Sequence, residues 1–300
     1  MAGDALSQDP AELRKRIDTT KAHPARVYDV FLGGKDNYPV DREAAGAALA
    51  ANPRGYLDVR HNRDFMRRAV TTLTKDEGIR QFLDIGTGLP TAENVHQIAQ
   101  EVVPDSRVVY VDNDPVVLAH ARALLASGPE GVTDYIDADF KSPAQILEAA
   151  ARTLDFDRPI ALCLVALLHF VEDDLAYPVV RELVDALPAG SRLVLSHLTE
   201  DLNPAKIRAV QETYTKRGFT FVLRSRDEVA RFFEQSGLVV DEPGVVPAHH
   251  WRFEDGAPVP EALESHALAG MDDIEKVRYR DINDVTDADI NVYAAMGRKG

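Results

Sequence analysis

The sequence predicts an α/β protein: an open, mostly parallel sheet, doubly wound in the Rossmann manner, behind a helical N-terminal extension. Three observations carry this. From about residue 81, short runs rich in β-branched and aromatic residues alternate with helical runs, the pattern of a parallel sheet with helices on both faces. The first such run, "FLDIGTG" at 82–88, ends in two glycines one residue apart, where the first strand-to-helix turn belongs. The first eighty residues show no such alternation and read as polar helices.

In chain order, "DPAELRKRID" at 9–18 opens with Asp9 as an N-cap candidate and Pro10 in the first helical turn. The segment 23–50 breaks at Gly33-Gly34 and resumes as a helix after Pro39. In 56–76, Leu57, Phe65, Met66, Ala69, Val70 and Leu73 fall near one helical stripe. Strands are expected at 81–85, 107–114, 132–139, 159–167 and 191–198, with helices at 91–102, 115–127, 142–153 and 175–187 between them. Further helices are expected at 203–217 and 226–236, and late strands at 238–246 and 290–298. The acidic stretch at about 254–288 is weakly patterned and reads as a surface excursion or lid. The expected division is a helical extension or lid at 1–80 and the α/β domain at 81–300.

Composition narrows the function classes. Of 300 residues, 45% are hydrophobic and 28% charged, ordinary for a globular protein. A formal net charge of −15 repels phosphates, so neither nucleic acid nor an anionic membrane is the expected partner. The longest apolar run, at 159–170, is too short to span a bilayer, and the N-terminus lacks the apolar centre of a signal peptide. Cys163 is the single cysteine, so no intrachain disulfide forms, and a reducing cytoplasm is the expected location. Cys163 and Met66 sit at core-like spacing and are assigned to packing, and no Cys/His spacing points to a metal.

The chemistry centres on the glycine turn. Gly86, Thr87 and Gly88 follow Asp84, and position 91 is threonine where a dinucleotide fingerprint wants a third glycine. A carboxylate beside a diphosphate is repelled, whereas one beside a cationic ligand is attracted. S-adenosyl-L-methionine carries an ammonium and a sulfonium and no phosphate, so it suits Asp84 better than NAD does. Asp112, ending the second strand, is placed to accept both ribose hydroxyls, with Asn113 near the adenine. Asp139 and Phe140, after the third strand, are placed to accept from the adenine amino group and to flank its ring. Each acid also has a local reading as a cap or turn residue.

The runs "FLDIGTG", "VVYVDNDP", "YIDADF", "LHFVEDD" and "LPAGSRLVLSHLTED" resemble class I S-adenosylmethionine-dependent methyltransferases. The segments at 25–43, 62–70 and 242–252 narrow the resemblance to a bacterial S-adenosyl methyltransferase family long described as a domain of unknown function. The resemblance covers most of the chain. It implies a seven-stranded sheet with an antiparallel last strand and S-adenosyl-L-methionine as cofactor, and it names no acceptor.

The segment "RVYDVFLGGKDNY" brings Arg26, Tyr28, Gly34 and Asn37 into a glycine-hinged lid over the methionyl end of the cofactor, and Arg63 is placed to meet its carboxylate. Leu167, after the fourth strand, joins the cofactor contacts. His169 and His197, after the fourth and fifth strands, are the base candidates, His169 having an alternative structural role. His249 and His250, beside Trp251, are candidates for the acceptor pocket, with a plain surface loop as the alternative, and Tyr177 for a hydroxyl contribution. The expected activity is methyl transfer to an oxygen or nitrogen of a small molecule. A non-catalytic module that binds S-adenosylmethionine or S-adenosylhomocysteine and an NAD-dependent oxidoreductase are the alternatives.

Overall fold

The structure is a computed structural model that describes residues 16–90, 93–124, 128, 130–253 and 269–300. Three helices, α1 (Pro24–Leu32), α2 (Pro39–Ala51) and α3 (Tyr56–Lys75), precede the sheet. Then come β1 (Gln81–Ile85), α4 (Val95–Val102), β2 (Arg107–Asp112), α5 (Pro115–Leu124), β3 (Val132–Asp137), α6 (Pro143–Ala150) and β4 (Ala161–Leu164). The second half runs α7 (Asp173–Asp185), β5 (Arg192–Leu198), α8 (Pro204–Thr215), α9 (Arg226–Gln235), β6 (Leu238–Val240), β7 (Val246–Pro247), α10 (Asp273–Lys276) and β8 (Val292–Lys299). Residues 9–15 of the expected helix at 9–18 lie outside the described residues.

The strand order is β3-β2-β1-β4-β5-β8-β6, with β7 pairing on β8. Strands β1 to β5 are parallel, and β8 runs antiparallel to β5, β6 and β7. The sheet therefore has eight strands rather than the expected seven. The expected late strand at 238–246 is the cause: it divides at Asp241–Val245, where Gly244 has φ 88°, into the two short strands β6 and β7.

Strand alternation builds two cores. Phe82, Val108, Tyr110, Cys163 and Val194 face α3, with Leu57, Phe65 and Leu73. Leu83, Ile85, Val109, Val111, Leu162 and Leu195 face the other way, toward Val180 and Leu183 of α7 and Phe232 and Phe233 of α9. Successive residues of a strand point to opposite faces, so Asp84 shares the α3 side with Phe82. Val27, Phe31 and Ala45 from α1 and α2 belong to that same core. The extension thus packs as part of the sheet's own body.

The described part of the acidic excursion is a strap against α3, not a free surface loop. Arg60 donates to the carbonyls of Val277 and Arg280, the His61 ring nitrogen Nε2 lies 2.8 Å from the Ile282 carbonyl, and Arg54 pairs with Asp289. Val277, Ile282 and Ile290 are buried beneath it. Among the described residues, no helix is long and apolar enough to cross a membrane.

Candidate cofactor and acceptor site

Strand order reverses between β1 and β4, and a cavity of about 430 Å³ opens at the carboxyl ends of β1, β2, β4 and β5. Such a reversal parts the connecting helices and leaves a crevice. The strands stop short of their expected ends here because their last residues leave the ladder to line it: Asn113 after β2, Asp139 and Phe140 after β3, and Val165, Ala166 and Leu167 after β4. Ala166 pays for this turn with a φ of 57°.

Both glycines of the first turn are required by conformation, and Gly86 also by space. Gly86 and Gly88 have φ of 75° and 68°, and a Cβ on Gly86 would lie 2.7 Å from Leu167 Cδ1. The turn is tied to β2: Gly86 N–H donates to the Val111 carbonyl, and Gly88 N–H donates to Asp112 Oδ2 at 2.9 Å. The Thr87 hydroxyl closes it by donating to the Asp84 carbonyl. Asp112 Oδ1 accepts from Asp114 N–H, so this carboxylate braces both the glycine turn and the start of α5. Its pKa is raised by burial, against the two backbone donors that favour its charge.

Asp84 lines the cavity, and burial pushes its carboxyl up to about 7. Arg63 on α3 opposes that rise, while Asp112 adds to it. Arg63 also lines the cavity and donates to the Glu93 carbonyl and to Asn94 Oδ1. A buried acid close to neutrality is poised to ionise when a cation arrives. At the far end, Asn113 Nδ2 donates to Asp139 Oδ2, and Lys141 N–H donates to Asp139 Oδ1. Phe140 is buried beside them.

The N-terminal candidates divide. Tyr28 lines the cavity; its hydroxyl donates to the Val59 carbonyl and accepts from Asn62 Nδ2. Arg26, Gly34 and Asn37 are absent from the lining. Arg26 is buried between Asp41 and Asp114, each at 3.6 Å. The double glycine has a local cause: Gly33 takes a left-handed φ of 76° under Arg278, and a Cβ on Gly34 would strike the Asp29 carboxylate. That carboxylate accepts from Asp36 N–H and Asn37 Nδ2. These residues lock the α1–α2 corner instead of reaching into the cavity.

The histidines also separate. His197 also lines the cavity but is almost wholly inaccessible, with Nδ1 at 2.6 Å from the Leu198 carbonyl and Nε2 at 2.6 Å from Arg224 Nη1. Arg224 can only donate, so Nε2 accepts and Nδ1 carries the proton. Burial and Arg224 hold this ring down to about 3. With both nitrogens committed, His197 has no lone pair to offer as a base, which corrects the sequence expectation. His169 lines the cavity, its Nδ1 is buried with no partner, and burial together with His197 and Arg224 keeps it well below the usual histidine range. Its ring is therefore held in the neutral form. His249, His250 and Tyr177 do not line the cavity. Both histidines reach Asp287 Oδ1, and Tyr177 donates to the Glu228 carbonyl.

Sequence reasoning missed three residues. Arg224, 1% exposed, donates to the carbonyls of Leu168 and Val171, to Asp173 and to His197, and so anchors the loop carrying Leu167 and His169. Asp58 and Asn62 lie one turn apart on α3 and both line the cavity. The i, i+4 spacing was visible, but a helix polar on several sides does not announce which polar face turns inward.

The crevice over the glycine turn continues into a lobe between α1–α3 and α8, walled by Tyr28, Phe31, Asn62, Tyr214, Phe219 and Phe221. The crevice fits S-adenosylmethionine by its donor set: Asp84 for an ammonium, Arg63 for a carboxylate, Asp112 for ribose hydroxyls. A diphosphate fits poorly, since Gly88 N–H is already taken by Asp112 and Asp84 stands beside the turn.

Comparison with known proteins agrees. Residues 10–300 match the family model described as S-adenosyl methyltransferase. A DUF574 family protein from Streptomyces avermitilis MA-4680 is 44% identical, with a TM-score of 0.83 over 94% of this chain and 99% of its own. A candidate methyltransferase from Thermobifida fusca YX is 35% identical, with a TM-score of 0.78 over 98% and 99% of the two chains. No match was found among curated proteins. The fold, the acidic crevice at the glycine turn and a family match over nearly the whole chain converge: this chain belongs to the S-adenosyl methyltransferase family and uses S-adenosyl-L-methionine as its cofactor.

Proposed function

We propose that this methyltransferase acts on an oxygen or nitrogen of a small molecule held in the lobe between α3 and α8. The observation that carries the reading is the continuity of that lobe with the cofactor crevice in one cavity. An enzyme needs a second compartment facing the cofactor; a module that only senses the cofactor does not. The bound cofactor supplies an electrophilic methyl group. The chain's own residues position and shield. Asp84 meets the ammonium, Arg63 the methionyl carboxylate, and Asp112 the ribose. Asn113, Asp139 and Phe140 surround the adenine, and Gly86, Thr87, Gly88 and Leu167 shape the floor. The aromatic wall of the lobe excludes water and aligns the nucleophile.

Methyl-labelled cofactor incubated with the protein and a fractionated cell extract tests this. Label is expected in a low-molecular-weight fraction. Binding of the cofactor without any transfer would instead establish the sensing module.

The role of Asp84 gives a pH prediction. Its carboxyl titrates at about 7 in the free protein, and only the ionised form attracts an ammonium. Cofactor binding must therefore weaken as pH falls, by up to about tenfold per unit below that value. Calorimetric titration with S-adenosylhomocysteine between pH about 5.5 and about 7.5 should show this acid-side loss, in a range where the ligand's amine stays charged. The Asp84→Asn variant should bind more weakly at the upper end and lose most of the slope. Parallel profiles for the two proteins would remove Asp84 from the ammonium site.

A further inference from the structure

Two buried groups that the acceptor lobe presents, from Asp58 and Asn62, are hydrogen-bond acceptors. Asp58 is 6% exposed and lines the lobe, and its carboxylate accepts from Asn291 N–H at 2.5 Å and Asn291 Nδ2 at 3.1 Å. Two neutral donors leave its charge unpaired. Lys206 acts on it from outside the lining and more weakly than burial does. Asn62 is 1% exposed, and its Oδ1 has no partner. Its amide is already oriented, because Nδ2 donates to the Tyr28 hydroxyl, which in turn donates to the Val59 carbonyl. The lobe thus offers a carboxylate and a free amide oxygen one helical turn apart.

The two cations that line the cavity are already committed. Arg63, next to Asn62 on α3, is engaged with Glu93 and Asn94, acts on Asp84 and also on Tyr28, and Lys141 follows Phe140 at the adenine end. An anionic acceptor would enter an apolar lobe beside the Asp58 carboxylate, with its nearest cation shared by other partners, at a desolvation cost that this shared charge offsets poorly. A ligand bearing N–H donors and positive charge finds both of its needs met. Phe31, Val210, Tyr214, Phe219 and Phe221 supply apolar and aromatic surface for its body, and aromatic faces favour a nearby cation.

We propose that the acceptor is an amine carried on an apolar, aromatic-sized body, its N–H groups seated on Asp58 and Asn62 Oδ1. An ammonium has no lone pair, so the Asp58 carboxylate takes one N–H proton; the freed nitrogen pair then forms the N–C bond as the C–S bond breaks with its electrons staying on sulfur, and the methylated ammonium and S-adenosylhomocysteine leave. This rests on the methyltransferase reading and adds the substrate class. Burial of the Asp58 carboxyl, which raises it to about 7, is relieved when a cation sits beside it, so binding and ionisation favour each other.

Three probes with one body and different heads test the assignment: 2-phenylethylamine, 2-phenylethanol and 3-phenylpropanoate. Each is titrated into the full chain saturated with S-adenosylhomocysteine, and binding is followed by ligand-detected NMR. The amine is expected to bind at least about tenfold tighter than the carboxylate, the factor of one charge-assisted hydrogen bond. Asp58→Asn should abolish that preference while leaving the affinity for S-adenosylhomocysteine within about twofold. Equal or tighter binding of the carboxylate or the alcohol, or binding of none of the three, overturns the substrate class even if the variant does not fold. Failure of S-adenosylhomocysteine itself to bind is a separate result, and would bring down the cofactor reading on which the proposal stands.

Discussion

Replacing Arg224 with methionine should lower the unfolding free energy by about 2–5 kcal/mol, at about 1–3 kcal/mol for each buried acceptor left without a donor. The guanidinium is nearly inaccessible and lies over the rings of Tyr177 and Phe232. Its donors satisfy the Leu168 and Val171 carbonyls, His197 Nε2 and Asp173. Methionine fills similar volume and leaves the Val171 carbonyl and a ring nitrogen buried without donors, while the Leu168 carbonyl keeps only Val171 N–H. Asp173 is 56% exposed at its side chain and can return to water, so the loss comes chiefly from the carbonyls and the ring. Arg224→Lys keeps the charge but not the planar fork, and should fall between the two proteins. Urea denaturation with a common slope reads the difference. A midpoint unchanged in the methionine variant would show that the network contributes no net stability.

The second large effect is expected in binding. Asp112→Ala should weaken S-adenosylhomocysteine by about 1–3 kcal/mol, the value of hydrogen bonds to a charged group. The carboxylate does two things at once. It braces the turn through Gly88 N–H and Asp114 N–H, and it retains acceptor capacity for ribose hydroxyls, since each carboxylate oxygen has two acceptor positions. Alanine loses both. The Asp112→Asn variant would keep one acceptor oxygen but turn an N–H toward one of the two backbone donors, so most of the loss should persist. Calorimetry decides: wild-type affinity in the alanine variant would remove Asp112 from the ribose site.

How far the sequence led differs from element to element. Strand β1 begins and ends where the pattern 81–85 placed it, and β2 to β5 lie within their expected runs. The expected ends of β2, β3 and β4 overshot because the residues just past the ladder turn aside to build the cavity. Asn113 shows this most clearly: it leaves the strand after Asp112, and its Nδ2 donates to Asp139 Oδ2. The late strand at 238–246 failed as one element because Pro243 and Gly244 interrupt it. In the site, the strand-end residues Asp84, Asp112, Asn113, Asp139 and Phe140 all line the cavity, whereas Arg26, Gly34 and Asn37 serve the α1–α2 corner. Both groups sit in glycine-bearing, polar stretches, and composition alone does not distinguish a lid from a locked corner.

By itself the sequence determined the parallel α/β architecture, the glycine turn and the carboxylates at successive strand ends. These rest on local causes: residue alternation sets the strands, conformational freedom sets the turn, and in an open parallel sheet the strand ends gather at one edge. Tertiary structure alone decided that His197 is silenced by Arg224, 27 residues away, and that Asp58 meets Asn291 across 233 residues. A side chain's charge and free lone pairs depend on which distant groups the fold packs against it, and no local pattern records that.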